Sequence, residues 1–304
     1  MLEEFMNKIK LYIISGFLGS GKTTLLKQML TQWQGQKVAI LMNELGQFNV
    51  DSTILGDDTP MNELLNGCIC CDLKSDVEVQ LHDIRHRHQP DIIIIEATGV
   101  AHPVEIYDAC LAPSLTSYIQ IQSILTLVDG PRFLARAKYS VTTVQLMEEQ
   151  VRYAHSVMIN KKDLMTEDEI DLVRQQIQQL NSTGDIYVTS YSAVPDSVFE
   201  LEGKKRESHQ HLHHGIQSMV YTFSAPVDSR QFVNWLRELP DSLLRIKGYI
   251  KFRENPGQVV LFQYSYGIPQ YEAEDMNLPL KLVVIGEQLD KNKILDQLDQ
   301  LQFS

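Results

Sequence analysis

Residues Gly16 to Thr23 read GFLGSGKT, a match to G-x-x-x-x-G-K-[ST]. They lie between an apolar run, IKLYIIS at 9–15, and a segment of helical periodicity at 22–34. No other feature restricts the fold as much. Glycines in such a turn let backbone N–H groups wrap phosphate oxygens. The helix that follows adds the partial positive charge of its N-terminus. Lys22 is expected to reach the β- and γ-phosphates, and the Thr23 hydroxyl to bind Mg²⁺. The loop needs a buried strand before it and a helix start after it, and the flanking segments supply both.

Residues 8–190 alternate apolar runs with amphipathic segments. IKLYIIS (9–15), KVAILM (37–42), DIIIIE (91–96), QSILTLVD (122–129) and HSVMIN (155–160) are continuous and rich in isoleucine and valine. Strands covered on both faces have that pattern. Helical patterns occupy 22–34, 73–88, 102–110, 131–152 and 166–181. The alternation predicts an α/β fold, a P-loop NTPase core with a mainly parallel sheet. The connection from 43 to 66 is long enough to be functional, and 61–65 is expected to add one short strand. GKKRESHQHLHHG at 203–215 has no apolar period and reads as a linker. Beyond it, IQSMVYTFSA, SRQFVNWLREL, LLRIKGYIKF, GQVVLFQYSYG, LKLVVIGE and a last helix at 290–301 predict a small C-terminal α+β domain with an antiparallel sheet. The expected organisation is a nucleotide domain over 1–202, the linker over 203–215 and a second domain over 216–304. A chain of 304 residues has room for one large and one small domain.

The formal net charge is −12. A nucleic-acid binder needs a basic face, so no nucleic-acid partner is expected. The longest apolar runs, such as IIII at 92–95, are far too short to span a bilayer. The start MLEEFMNKIK, which opens on two glutamates, and the break at Ser15-Gly16 lack a signal-peptide pattern. No membrane partner and a cytoplasmic location are therefore expected.

Two further segments bear on the nucleotide. NKKD, Asn160 to Asp163, follows the run HSVMI. An aspartate there accepts hydrogen bonds from N1–H and the exocyclic amine of guanine. Adenine has no such donor pair, and it would leave the acceptor unpaired. GTP is favoured over ATP. IIIIEATG ends a buried strand in Glu96 and then reaches Gly99. An acid at such a strand end binds the Mg²⁺ shell or orients water, and the glycine amide meets the γ-phosphate.

Three of the four cysteines fall in GCICC, Gly67 to Cys71. Soft thiolates suit Zn²⁺, Cu⁺ and related ions. No second cysteine or cysteine–histidine pair stands ready to close a structural site, so three thiolates would leave a tetrahedral ion with an open position. A redox pair, a strained disulfide or buried small hydrophobes are the alternatives. Cys70 and Cys71 cannot both project easily from a regular strand. Either the loop turns at this point, or only two of the three bind together.

SGFLGSGKTTLL, MNELGQFNVD, GCICC, EATGVAHP and NKKDL occur in the same order as in the CobW-type GTPases. This family sits in the SIMIBI class with the hydrogenase and urease accessory proteins. LLRIKGYIKFRENPGQVVLFQYSYG resembles the family's small C-terminal domain, so the likeness covers nearly the whole chain. The resemblance implies a GTP-hydrolysing metallochaperone that passes zinc or cobalt to a client metalloprotein. It implies Cys68, Cys70 and Cys71 as metal ligands. Gly16, Gly19, Ser20, Gly21, Lys22, Thr23 and Thr24 would hold phosphates and Mg²⁺. Glu96, also toward Mg²⁺, and Gly99 would belong to the second switch. Asn160, Lys161 and Asp163 would read guanine. NELGQFNVD would be the first switch, with Glu44 and Asp51 near the metal ion or the attacking water. Catalysis would rest on Lys22, Thr23, Asp51 and Glu96. Met42 and Gln47 stand where many relatives carry a carboxylate, which leaves the fourth metal ligand unassigned. A regulatory or assembly GTPase with a structural metal, or a cobalt chaperone of cofactor biosynthesis, is the competing reading. A homodimer is among the possible assemblies.

Weaker signals remain. His209, His211, His213 and His214 lie in the linker as loading ligands or as solvated polar residues. His82 and His86 share a helix face at i, i+4 spacing, with His88 beyond them. His102 is either a site residue or a helix start before Pro103. Cys110 reads as a buried small hydrophobe. Trp33 and Trp235 read as core.

Overall fold

A computed structural model of the chain describes residues 8–33, 35–42, 69–72, 77–195, 198–199, 216–265 and 267–303, with 69–72 described by backbone alone. The chain divides into two compact units, Met1–Cys110 with Ser117–His211, and Leu111–Thr116 with Leu212–Ser304. In the first unit, strands β1 (Ile9–Ser15), β2 (Val38–Met42), β3 (Ile69–Asp72), β4 (Ile92–Glu96), β5 (Ile119–Asp129), β6 (Ser156–Asn160) and β7 (Asp185–Val188) form one sheet. Their order is β3-β2-β4-β1-β5-β6-β7, and each neighbouring pair is parallel. Helices α1 (Lys22–Gln32), α2 (Val77–His88), α3 (Pro103–Cys110), α4 (Gly130–Leu134), α5 (Val141–Arg152) and α6 (Glu167–Leu180) fall between them in sequence.

Every residue of β2, β4 and β6 is buried, which explains their unbroken apolar runs. Successive residues feed two different cores. Leu127 and Met158 join Tyr12, Ile14, Leu25 and Met29, whereas Val128, Val157 and Ile159 join Met147, Val151, Val173 and Ile177. The strand period of two thus reads directly as two apolar layers.

Two expectations change. The helical pattern at 131–152 is not one helix. α4 ends at Leu134, a short tight turn spans Arg136–Lys138, and α5 begins afresh at Val141. Tyr139 and Ser140 are extended, and the Ser140 hydroxyl accepts from Thr143 N at 3.3 Å. A side-chain cap there outcompetes continuation of the helix. β7 and the start of β5 were not expected as strands, since β7 is only four residues with none fully buried and β5 opens on alternating isoleucine and glutamine rather than a continuous apolar run. The short strand expected at 61–65 lies outside the described residues.

The second unit holds β8 (Ile216–Thr222), α7 (Ser229–Arg237), β9 (Leu243–Phe252), β10 (Asn255–Ser265), β11 (Ile268–Glu274), β12 (Lys281–Glu287) and α8 (Lys291–Phe303). Its antiparallel sheet runs β11-β10-β9-β12-β8. Phe232 and Trp235 of α7 and Leu298 of α8 share one core with Ile246, Phe262 and Val284. Trp33 packs against the first unit's core, and Trp235 is buried in the second.

Candidate functional site

β1 is the middle strand of the sheet, and the glycine loop leaves from its carboxyl end. Gly16, Gly19 and Gly21 take φ of 133°, 74° and 108°, in the region that favours glycine. At Gly21 an added Cβ would also stand 2.5 Å from Asn160 Nδ2. Lys22 opens α1 and is buried, with Nζ donating to the carbonyls of Gly16 at 2.9 Å and Phe17 at 3.4 Å. Its ammonium thus lies over the loop that would hold phosphates. Ser20 is fully buried and its hydroxyl has no hydrogen-bond partner among the described residues. Thr24 is exposed on the first turn of the helix.

Thr23 Oγ1 donates to Glu96 Oε1 at 3.0 Å. Glu96 ends β4, is 9% exposed, and its other oxygen is buried without a partner. Burial pushes its carboxyl above the usual glutamate range, against the lowering effects of the Thr23 hydrogen bond and the Lys22 charge. An orphaned buried carboxylate oxygen is costly, so the site favours a cation or a proton at this point. A hydroxyl and a carboxylate are hard oxygen donors of the kind Mg²⁺ takes, with waters and phosphate oxygens completing its shell. The pair fits Mg²⁺.

At the far side of the loop, Asn160 ends β6 and is 3% exposed. Its Nδ2 donates to Ser20 O at 2.8 Å and Ser192 Oγ at 3.1 Å, and its Oδ1 accepts from Ser192 N at 2.9 Å. Ser192 Oγ donates in turn to Gly21 O at 3.1 Å. The asparagine therefore ties the glycine loop to the turn after β7. Lys161, with φ of 65°, extends to Asp129 Oδ2 at 2.6 Å. Asp163 N donates to Ser190 Oγ at 3.2 Å, and the Asp163 side chain is exposed. Ser190 and Ser192 were not singled out in the sequence. Their only signal is position, a Ser-x-Ser turn after the strand that follows NKKD.

The turn after Glu96 is held from below. Gln150 is buried on α5, and its Nε2 donates to Gly99 O at 3.2 Å and Ala101 O at 3.3 Å. A Cβ on Gly99 would stand 2.6 Å from Leu18 N, so only glycine lets this turn approach the loop so closely. His102 Nδ1 accepts from Val104 N at 3.2 Å, and its Nε2 lies 3.1 Å from Glu149 Oε2. Of its two expected roles, the helix start is the one it fills.

The cysteine motif enters β3, an edge strand. Cys70 lies opposite Ile40, Cys71 opposite Leu41 and Asp72 opposite Met42. Of the two alternatives at Cys70–Cys71, the turn is absent, because in-register pairing with β2 holds 69–72 extended. Cys68, Glu44, Gln47, Asp51 and the linker histidines lie outside the described residues. Among the described residues, no group of three histidine, cysteine, aspartate or glutamate side chains is placed to hold a metal, and His82, His86 and His88 of α2 form no such group. Cys110 is buried and in no disulfide, as its sequence context suggested. Among the described residues no helix is long and apolar enough to cross a membrane.

The profile of the CobW/HypB/UreG nucleotide-binding domain matches residues 10–188, and that of the cobalamin synthesis protein cobW C-terminal domain matches 216–302. The zinc chaperone YjiA of Escherichia coli (strain K12) is 29% identical over 319 residues, covering 95% of this chain and 97% of its own. The zinc-regulated GTPase metalloprotein activator 1 of Dictyostelium discoideum is 24% identical over 342 residues, covering 90% and 72%. The crystal structure of Zn(II)-bound YjiA GTPase from E. coli is similar with a TM-score of 0.52 and 26% identity, over 97% of this chain and 99% of that one. A glycine loop opposite a strand-end carboxylate, carried with both matching domains, makes this chain a member of the CobW family of P-loop GTPases.

Proposed function

We propose that this GTPase is a metallochaperone. It carries a transition metal, Zn²⁺ before Co²⁺, on thiolates of Cys68, Cys70 and Cys71. It couples release to a client metalloprotein to GTP binding and hydrolysis. The observation that carries the reading is register. Met42 lies opposite Asp72 of β3 on one side and opposite Glu96 of β4 on the other. The cysteine strand thus ends in the same cross-strand row as the carboxylate beside the glycine loop, about 10 Å of sheet away. Similar proteins named zinc chaperones support zinc as cargo. Successive strand positions belong to opposite faces. While β3 stays paired, at most two of the three thiolates share an ion, and the third joins only when the start of the strand loosens.

In this reading the phosphates lie along Gly16, Gly19, Ser20, Gly21 and Thr24, with Lys22 at the β/γ end. Thr23 and Glu96 hold Mg²⁺, which neutralises phosphate charge when bound. Asp51 and Glu96 orient the attacking water, and the Gly99 amide faces the γ-phosphate. Asp163 accepts from the guanine edge, while Asn160 and Lys161 hold the surrounding loops. The reaction is GTP + H₂O → GDP + phosphate. The two segments that would sense the γ-phosphate flank the cysteines in sequence, so its loss changes what holds them.

The test is zinc affinity by competition with a chelating dye, in the presence of GDP or a non-hydrolysable GTP analogue. Affinity is expected to differ between the two nucleotides and to fall in Cys70→Ser and Cys71→Ser. Equal affinity in both nucleotide states would sink the coupling. Unchanged affinity in Cys68→Ser, Cys70→Ser and Cys71→Ser alike would place the metal elsewhere.

A further inference from the structure

Arg132 belongs to none of the motifs above, yet it touches the glycine loop. It lies on α4, directly after β5, and its Nη1 donates to the Leu18 carbonyl. A Cβ on Gly19 would stand 3.6 Å from Nη1 and 4.0 Å from Nη2. The only other approach of the guanidinium to a described residue is Nε to Asp129 Oδ2, at 3.9 Å. Most of its five N–H donors are therefore uncommitted, beside the peptide that joins Leu18 to Gly19. Gly99 packs against Leu18 N from the turn after Glu96.

Lys22 offers a direct comparison. It holds the carbonyls of Gly16 and Phe17, and Arg132 holds the next one along. Two cations thus cap three consecutive carbonyls of a loop shaped for anions. A second cation so close to Lys22 needs a counter-charge, and Asp129 supplies it. Asp129 is 6% exposed, accepts from Arg132 N at 3.1 Å and from Lys161 Nζ at 2.6 Å, and faces the guanidinium as well. One buried carboxylate faces both the lysine of NKKD and the α4 arginine that reaches the glycine loop.

We propose that Arg132 contacts the polyphosphate of bound GTP beside Gly19, and that Asp129 is the residue that positions it. The inference rests on the phosphate placement proposed above. As the water oxygen bonds to the γ-phosphorus, the bond from that phosphorus to the β–γ bridging oxygen breaks. Its electron pair stays on that oxygen, and the water protons leave on phosphate and to solvent. A planar guanidinium at Gly19 donates to the oxygens on which this charge grows. It would act during hydrolysis more than in holding GDP.

The test is steady-state GTP hydrolysis with separate titration of GDP, on Arg132→Ala and Arg132→Lys. Arg132→Ala is expected to lower kcat about 10- to 100-fold, somewhat less than a dedicated arginine finger supplies. GDP affinity should stay within about threefold, and the unfolding temperature should hold. Arg132→Lys should recover only part of kcat, since it keeps the charge and loses the fork. Guanidinium ion at millimolar concentration should restore part of the rate to Arg132→Ala. A kcat within twofold of the original in both variants overturns the proposal, as does a loss of GDP affinity equal to the loss in kcat/KM. Lys22→Ala, measured in parallel, separates the two failures. If it binds GTP as tightly as the original, the phosphate placement itself is wrong. If it binds weakly while Arg132→Ala hydrolyses normally, only the role of Arg132 falls.

Discussion

Glu96 holds a carboxylate where burial disfavours its charge and leaves one oxygen without a partner. In the protein free of nucleotide and Mg²⁺ this is a cost, not a gain. The folded pKa lies above the unfolded one, so the cost is present at neutral pH and is relieved as pH falls through the folded value. Glu96→Gln is therefore expected to stabilise the ligand-free protein at pH 7 to 8 by on the order of 1 kcal/mol. Denaturation measured over pH should show that advantage shrinking toward acid. The same substitution should slow hydrolysis by about 100-fold, the scale of losing one charge-stabilising group. A Glu96→Gln protein that is less stable at neutral pH would contradict this account. Lys22, Thr23 and Glu96 were legible in the sequence because a phosphate loop and a strand-end acid are local patterns. Ser192 and Gln150 were not. Their contacts run to Gly21, 171 residues away, and to Gly99, 51 residues away, and no short window records them.

Elements show the same division. The buried strands were plain because sheets covered on both faces need continuous apolar runs. β11 was missed because it is an exposed edge strand with Pro269, and its residues IPQYEAE give no apolar side. The segment 131–152 misled because its apolar period carries through a break that a single hydroxyl enforces. Ser140→Ala removes the cap of α5, the helix that carries Gln150 and Glu149 under the turn after Glu96. It should cost about 1 kcal/mol in urea denaturation. If the helix start is set by Ser140, amide exchange of Val141 to Val144 should quicken as well. Unchanged protection there would mean that tertiary packing, and not the cap, starts α5.

Two units with separate cores make a molecule whose stability and activity can be perturbed apart. Phe232 is fully buried against Trp235, Phe252 and Phe262 in the second unit. Phe232→Ala should cost about 3–5 kcal/mol, read by calorimetry, with GTP affinity within twofold of the original. A matching loss of GTP affinity would show that nucleotide binding draws on that core. The strand order of the first sheet has a further consequence. In the proposed reading, guanine would be held beyond β6 and the phosphates at β1 and β4, with Cys70 and Cys71 on β3 at the end of the strand order. Five strand spacings, roughly 24 Å, separate β6 from β3, so which base is held and what the phosphates do are separable. Asp163→Asn exchanges an acceptor for an amide that can donate to a carbonyl at C2 of the purine. Such a variant should refuse GTP and accept xanthosine triphosphate. On the proposed coupling, zinc affinity should then respond to xanthosine nucleotides as the parent protein responds to guanosine ones, which would give this GTPase a private fuel inside a mixture of ordinary GTPases.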